Sequence, residues 1–518
     1  MLRKLLPFAL LSLLPMPAQA AWQEAKSKHF IVYTDDSPDH ARDQAVQLER
    51  YDAALRLLMN MPDTRPANAI QRVTVYVVPG IDDVKRLARN RLAAGFFNGS
   101  VPGPLAIVPR WTGNGESWDL GANAVLLHEY AHFFMYSSWP DVVFPLWFSE
   151  GFAEFNATAR FGRDGRMIFG AMPSYRIYGL DRDVVLDARK MVLHTSENLD
   201  DEQIGVLYSR GWLLTHYLLL DKDRSKLLAN YLVALNAGKS PTEAAKALGD
   251  LDDLNSKMNA YLKRSTLPTA ALTPPQLPVG EISVRAVSPG ESAIMMSRIR
   301  SQVGVDETAA KEVVAAARAA AAPFPNDPSA QNELAEAEFD AGNYAASEAA
   351  ADRAIAADPK SVHALVYKGM VRMKLAETAK STDPKVWADA RTWFIAANQA
   401  NTEDPWPLEL YYQSFVTAHE KPTKNAEAAL TYAFALAPFD SRLRFSVGMM
   451  FLQQGATKPA RAALEPIAYA AHGGEESAFM SSVIAALDGE GGATKALAML
   501  RQHGEEQKAK AESEKKKR

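Results

Sequence analysis

The first chemically suggestive feature of the chain is the segment His-Glu-Tyr-Ala-His, in which His128 and His132 stand one helical turn apart. On an α-helix both imidazoles would project from one face, so they could bind one metal ion at about 2.0–2.1 Å. Glu129 would be turned about 100° around the axis, where it could hold a water molecule on that ion and accept its proton. Further along, Glu150 offers a third donor. Two histidines and a glutamate leave the fourth position of zinc open for water, which favours a catalytic over a structural zinc site.

These donors need two helices to bring them together. The sequence from residue 119 to residue 136 contains no proline and therefore predicts the helix that carries both histidines, with Ser117 and Asp119 as candidate N-caps. Pro140 would end this helix, and Pro145 would start a second one that carries Glu150.

The segment around the third donor resembles the gluzincin metallopeptidases, a group that contains the thermolysin-like enzymes and the membrane alanyl aminopeptidases. In those aminopeptidases the third metal ligand belongs to the stretch Asn-Glu-Gly-Phe-Ala, and this chain has Ser-Glu-Gly-Phe-Ala at residues 149–153. The resemblance covers residues 30–262. It implies a zincin domain of the thermolysin and aminopeptidase type, Zn²⁺ held by His128, His132 and Glu150, Glu129 as general base, and hydrolysis of peptide bonds.

Two further residues acquire roles through this resemblance. The family has a Tyr-x-x-Gly segment whose tyrosine donates a hydrogen bond to the tetrahedral oxyanion, and Tyr208 begins such a segment here. Glu154 stands four positions after Glu150, as does an acidic residue of the thermolysin-like enzymes, so it would accept the distal N–H of a ligand histidine. The alternatives are a half-buried helix aromatic for Tyr208 and a solvated carboxylate for Glu154.

One expected segment is missing. The Gly-Ala-Met-Glu-Asn stretch, with which those aminopeptidases bind a free amino terminus, has no counterpart, and residues 95–99 do not supply its glutamate. Cleavage within a chain is therefore expected at least as much as removal of terminal residues.

The pattern from residue 21 to residue 264 predicts a mixed α+β domain. Residues 30–34 and 73–78 have the composition of strands, with a helix over 39–59 between them. Residues 104–108 are flanked by prolines and are predicted as an edge strand that could accept an extended peptide. After this strand, only helices are expected.

The second half of the chain has a different composition. Residues 265–325 are predicted as a proline-rich linker and a first helix. Residues 326–475 resemble tetratricopeptide (TPR) repeats, because Asp-Pro recurs at Asp327, Asp358 and Asp404 with small and aromatic residues between. Such helix pairs stack into an all-α solenoid that usually binds a protein partner. An alanine-rich bundle that only supports the first domain is the alternative. Residues 476–518 are predicted as a terminal helix and a charged, disordered tail.

The amino terminus predicts export. Basic residues, a short apolar run and Ala-Gln-Ala at 18–20 form a signal peptide pattern, with a mature protein from Ala21. The alternative is an uncleaved N-terminal anchor. No later stretch reaches the length of an integral membrane segment. The chain contains no cysteine, which suits an oxidising compartment, so the periplasm is expected first and secretion second. A formal charge of −4 gives no indication of nucleic-acid binding.

Two functions from different classes follow. The first is a zinc metallopeptidase of the cell envelope that recruits partners or substrates through TPR repeats. The second is a catalytically silent envelope scaffold that acts through those repeats alone. Substrate identity, the TPR partner and the oligomeric state are open.

Overall fold

The chain forms an N-terminal domain of two sheets and surrounding helices, followed by an array of helices. A computed structural model describes residues 21–63, 72–88, 95–99, 101, 103–110, 122–193, 199–468 and 474–517. The predicted signal peptide and the candidate caps Ser117 and Asp119 lie outside these residues. Within them, no helix combines the length and apolar character needed to cross a membrane.

In the described residues, the larger sheet has six strands in the order β4-β5-β3-β2-β1-β9, and a smaller sheet has the order β6-β7-β8. The strands are β1 (Gln23–Lys26), β2 (Phe30–Thr34), β3 (Val73–Val78), β4 (Phe96–Asn98), β5 (Leu105–Pro109), β6 (Arg160–Phe161), β7 (Met167–Phe169), β8 (Ala270–Leu272) and β9 (Ser283–Ala286). The predicted strands at 30–34 and 73–78 are confirmed. They pair in parallel, with a long helix between them in the chain.

The predicted edge strand is wrong in its position. β5 lies inside the larger sheet, parallel to β3 on one side and antiparallel to β4 on the other. Its flanking prolines stand at or beyond the strand ends, so the residues between them keep the N–H groups that both neighbours need. The edge is instead formed by β4, which is too short to give a strand pattern in the sequence.

The helices of the N-terminal domain place the candidate site on its central pair, α3 and α4. They are α1 (Pro38–Leu58), α2 (Ile81–Leu87), α3 (Ala122–Ser138), α4 (Leu146–Ala157), α5 (Ile177–Leu180), α6 (Ala188–Leu193), α7 (Asp201–Leu219), α8 (Arg224–Asn236), α9 (Pro241–Ala245) and α10 (Leu251–Leu262). Both predicted site helices are confirmed. The expectation of only helices after residue 108 is wrong, because β6 to β9 follow.

The proline-rich segment that the sequence predicts as a linker belongs partly to the N-terminal domain. Its strand β8 pairs with β7, and β9 pairs antiparallel with β1 at the edge of the larger sheet. Pro274 and Pro275 form a single 3₁₀ turn between these strands. The prolines thus mark turns between strands of three and four residues, which are too short to show an alternating pattern.

The second half is a TPR-like array of helix pairs in which consecutive helices pack on one another. Its members are α11 (Pro289–Val303), α12 (Glu307–Ala321), α13 (Pro328–Asp340), α14 (Tyr344–Ala357), α15 (Val362–Thr378), α16 (Pro384–Ala400), α17 (Pro405–Thr417), α18 (Lys424–Leu436), α19 (Ser441–Gln453), α20 (Thr457–Ala468), α21 (Gly474–Ala486) and α22 (Gly492–Lys517). Asp327 and Asp404 begin helices as N-caps, with proline at the first helical position, whereas Asp358 ends α14. The charged tail predicted as disordered is helical as far as Lys517.

The array also contacts the N-terminal domain at a point remote in the chain. The ring of Phe439 packs edge-on against Phe133 of α3, with centroids 5.0 Å apart. Asp440 accepts a hydrogen bond from the backbone N–H of Val101, and Arg444 donates to the carbonyl oxygen of Pro140. The helix that carries the two site histidines is therefore in contact with the array.

Candidate metal centre

The structure brings the three predicted donors together in the core of the N-terminal domain. Nε2 of His128 lies 3.2 Å from Nε2 of His132, and Oε2 of Glu150 lies 3.4 and 3.5 Å from these two atoms. Ligands at zinc bond lengths in a tetrahedron are separated by about 3.3 Å. The nearly equilateral triangle therefore fits a zinc ion, and the donor types are those of catalytic zinc. All three residues are buried, Glu150 with 1% of its surface exposed.

Helix α3 is held in place by α1, on the side away from the donors. The hydroxyl of Tyr51 donates to the carbonyl oxygen of Leu127, and Tyr130 donates to Asp52 at 2.7 Å. Asp52 also pairs with Arg56. These polar contacts in an apolar core fix the rotation of α3. Both histidines consequently face α4.

Contacts within the triangle shift the pKa values of Glu150 and His128. Burial alone would raise the pKa of Glu150, but the imidazoles of His132 and His128 hold it well below its usual range. Burial likewise disfavours the imidazolium of His128, yet the hydrogen bond and charge of Glu150 raise its pKa. Glu150 is thus ionised, which is the state in which a carboxylate binds a metal ion.

Contacts behind the ligands orient the rings. Nδ1 of His132 lies 3.3 Å from the hydroxyl of Ser149, which in turn meets the hydroxyl of Tyr136 at 2.9 Å. Oε1 of Glu154 lies 3.7 Å from Nδ1 of His128. Glu154 therefore stands on the side of the ring that the resemblance implies, at an ion-pair distance rather than a hydrogen-bond distance.

Glu154 has further partners that the sequence did not indicate. Arg176 donates to its Oε1 from Nε and from a terminal nitrogen, at 3.0 and 2.8 Å, and the hydroxyl of Tyr175 donates to its Oε2 at 2.9 Å. Glu154 is 1% exposed, so the alternative of a solvated carboxylate does not describe it. The small sheet and its turns separate Tyr175 and Arg176 from the His-Glu-x-x-His segment, and nothing in their local sequence points to the site.

Tyr208 and Glu129 also belong to the centre. The ring centroid of Tyr208 lies 6.2 Å from that of His128, and the guanidinium of Arg176 stands 4.6 Å from its ring centroid. Burial and the charge of Glu150 raise the pKa of Tyr208, so its hydroxyl stays protonated as a donor. Glu129 is half-buried, and its charge acts on both His128 and Tyr208. The other five predicted site residues lie in one cluster, and Glu129 directly follows His128 on α3.

No protein-family model and no curated protein matches this chain. Solved structures with a similar fold include a thermophilic TPR protein of Thermus thermophilus, at 16% identity over 37% of this chain and 97% of that chain, with a TM-score of 0.32. Another is the MamA RS-1 ArsTM double mutant, at 17% identity over 35% of this chain and 93% of that chain, with a TM-score of 0.26. The likeness concerns only the repeat fold of part of the chain.

Proposed function

We propose that the protein is a zinc-dependent peptidase of the cell envelope, exported to the periplasm, whose TPR-like array recruits protein partners or substrates. The observation that carries the proposal is the triangle of buried donors from His128, His132 and Glu150, with edges between 3.2 and 3.5 Å. These edges match the separation of about 3.3 Å expected between two ligands of one zinc ion, which supports a common ion at the centre.

The surrounding residues provide the remaining functions of a hydrolase. Zinc, when bound, would polarise the scissile carbonyl and bring the pKa of its water toward about 7. Glu129 would accept the proton of the attacking water and return it to the leaving amine. The protonated hydroxyl of Tyr208 would donate to the oxygen that becomes negative as the peptide carbon turns tetrahedral. Arg176 would hold Tyr208 and Glu154 in position.

The edge strand β4 suggests how a substrate is held. Within the described residues, β4 pairs with β5 on one side and with no strand on the other. The ring of Phe97 in β4 packs on Phe133 of α3, with centroids 6.1 Å apart, so this edge runs beside the helix with the metal ligands. An extended peptide added to β4 would hold its backbone through main-chain hydrogen bonds.

An interaction protein without catalysis is the second candidate. It is favoured by the array itself, because stacked helix pairs provide the extended surface on which such proteins bind partners. Apolar side chains of the array, among them Val416 of α17 and Tyr432 of α18, are exposed and available to a partner. In this case the N-terminal domain would keep the peptidase fold without turnover.

Two variants separate these candidates. Glu129→Gln should keep zinc bound at one equivalent in the centre and lower the cleavage of unfolded proteins or peptide mixtures by about 100-fold or more. Glu150→Gln should lose both the zinc and the cleavage. Glu202→Gln, on the exposed start of α7, is the matched control and should change neither. Zinc content by mass spectrometry and product detection provide the measurements. Wild-type protein that binds zinc but cleaves nothing would favour the scaffold; protein that binds no zinc would overturn the peptidase proposal.

A further inference from the structure

A second group of metal-binding side chains lies in the array, away from the centre described above. Glu333 and Glu336 of α13 and His363 of α15 each bring a possible ligand atom within 4.8 Å of the others. Glu333 and Glu336 stand one helical turn apart on one face of α13. Nε2 of His363 is 3.3 Å from Oε2 of Glu336, which is already the separation of two ligands on one ion.

The carboxylates of this group are buried and incompletely compensated. Glu333 and Glu336 are 7% and 8% exposed, and Glu291 of α11, beside them, is 5% exposed. The guanidinium of Arg298 is shared between two of them, at 3.3 Å from Glu291 and 3.5 Å from Glu333. Glu336 is left with His363 and the hydroxyl of Tyr367. The half-exposed Arg285 also reaches Glu291, at 3.4 Å. The three buried carboxylates therefore share Arg298, Arg285 and the imidazole of His363, and burying an incompletely paired charge is costly.

One carboxylate oxygen of the group is particularly suited to a cation. Oε2 of Glu333 is buried and, among the described residues, accepts no hydrogen bond. A buried oxygen with free lone pairs, beside a second carboxylate and an imidazole, has the chemistry of a metal ligand.

We propose that Glu333, Glu336 and His363 bind a divalent transition-metal ion, such as Zn²⁺ or Mn²⁺, at the start of the array. The mixture of one imidazole and two carboxylates favours such ions over Ca²⁺ or Mg²⁺, which prefer oxygen ligands alone. The ion would link α13 to α15.

The proposed site also adjoins the N-terminal domain. Arg298 lies 4.9 Å from the ring centroid of Tyr33, a residue of β2. On the same side, Tyr76 of β3 donates to the side-chain oxygen of Gln302 in α11. An ion at Glu333 would relieve Arg298 of one of its two carboxylates and stabilise the packing of the first array helices on the sheet. This role is independent of any hydrolysis at the first centre.

Counting metal ions in matched variants tests this proposal. Chelator-treated full-length protein is titrated with Co²⁺ and Zn²⁺, followed by visible absorption and by metal content after gel filtration. The wild type should bind two ions per chain. The double variant Glu333→Gln and His363→Gln should keep only the ion of the first centre. The double variant His128→Gln and His132→Gln should keep only the ion of the array. Glu312→Gln with His40→Gln, both exposed, is the control and should still bind two.

The outcomes at the two centres can be distinguished. The second site would be overturned if the array variant still binds two ions. It would also be overturned if the wild type binds a single ion that is lost only when His128 and His132 are replaced; both results leave the peptidase proposal intact. If the wild type binds a single ion that is lost only in the array variant, the second site stands and the peptidase proposal is overturned. If the double array variant does not fold, His363→Gln alone serves, since this side chain is 25% exposed. The carboxylates could instead bind a cationic side chain. If the wild type binds a lysine-rich peptide but no metal ion at the array, and Glu333→Gln no longer binds that peptide, the proposal is contradicted.

Discussion

Gly151 of α4 and Gly211 of α7 lie in backbone contact where these two helices cross. A Cβ atom built on Gly151 would lie 2.3 Å from the carbonyl oxygen of Gly211, and one on Gly211 would lie 3.5 Å from Cα of Gly151. Glu150 directly precedes the first glycine, and Tyr208 lies about one turn before the second. The crossing therefore sets the distance between a metal ligand and the candidate oxyanion donor.

Replacing either glycine by alanine should disturb the centre. For Gly151→Ala the new methyl group meets backbone and Thr215, which cannot move aside, so α4 and α7 must separate at a cost of about 1–3 kcal/mol or more. We expect a lower thermal midpoint and weaker zinc binding. Gly205→Ala, also on α7, is the control, because its Cβ would meet only the hydroxyl of Tyr178 at 3.6 Å. Equal zinc affinity in Gly151→Ala and Gly205→Ala would contradict this role of the crossing.

The sequence predicted those parts of the centre that depend on local spacing. His128 and His132 share a helical face by periodicity alone, and the order of helix, turn and helix brings Glu150 opposite them. Arg176 and Tyr175 could not be predicted, because their approach to Glu154 depends on how the chain returns after the small sheet. Strand β9 could not be predicted for the same reason, because its partner β1 lies at the other end of the domain. Strand β4 could not be predicted because its three residues are too few for an alternating pattern.

Tyr208→Phe tests the oxyanion role. Removal of the hydroxyl should lower kcat by about 100- to 1,000-fold while KM changes little, because the donated hydrogen bond forms only as charge develops on the substrate. Steady-state kinetics on a cleaved peptide provide the measurement. Tyr178→Phe is the control, since that ring is 58% exposed. A Tyr208→Phe enzyme with unchanged kcat would show that Tyr208 only packs beside His128.

Glu154→Gln tests the contacts behind the metal ligands. The change removes a negative charge beside Nδ1 of His128 and leaves the guanidinium of Arg176 without its carboxylate. Zinc affinity should fall by about 10- to 100-fold, as for other residues that support ligand histidines. Competition with a chromophoric chelator measures this, with Glu202→Gln as control. If Glu154→Gln binds zinc as tightly as the wild type, Glu154 serves only to hold Arg176 and Tyr175.

His216 makes the N-terminal domain sensitive to acid. Nε2 of this buried ring donates to the carbonyl oxygen of Gly170, Nδ1 accepts from Tyr261, and burial lowers the pKa to about 4. Because the unfolded chain binds the proton more readily, the stability from this residue is complete above about pH 6.5 and falls as the pH drops toward 4. Between pH 7 and pH 5 the loss should be about 2 kcal/mol.

His216→Gln isolates that contribution, since glutamine can still donate and accept but does not titrate. The thermal midpoint of the N-terminal domain should fall less between pH 7 and pH 5 in this variant than in the wild type. His40→Gln, at an exposed position of α1, should keep the wild-type difference. An equally steep loss in His216→Gln would assign the acid sensitivity to other groups.

Phe439→Ala tests whether the array supports the helix of the metal ligands. Phe439 packs on Phe133, the residue after His132, and the next residue, Asp440, accepts the N–H of Val101 at 2.6 Å. Loss of the half-buried ring should weaken this contact by about 2 kcal/mol. Hydrogen exchange at Val101 should then accelerate by about 30-fold, while the circular dichroism of the helices stays unchanged.

The control for this contact is Phe445→Ala on α19, whose ring is 37% exposed and which should leave the exchange at Val101 unaltered. If Phe439→Ala also leaves it unaltered, the ring of Phe439 does not stabilise the contact between Asp440 and Val101. If exchange accelerates and zinc binding weakens together, the array and the metal centre are energetically coupled through α3. A partner that binds the array near α18 and α19 would then be able to change the state of the centre without touching it.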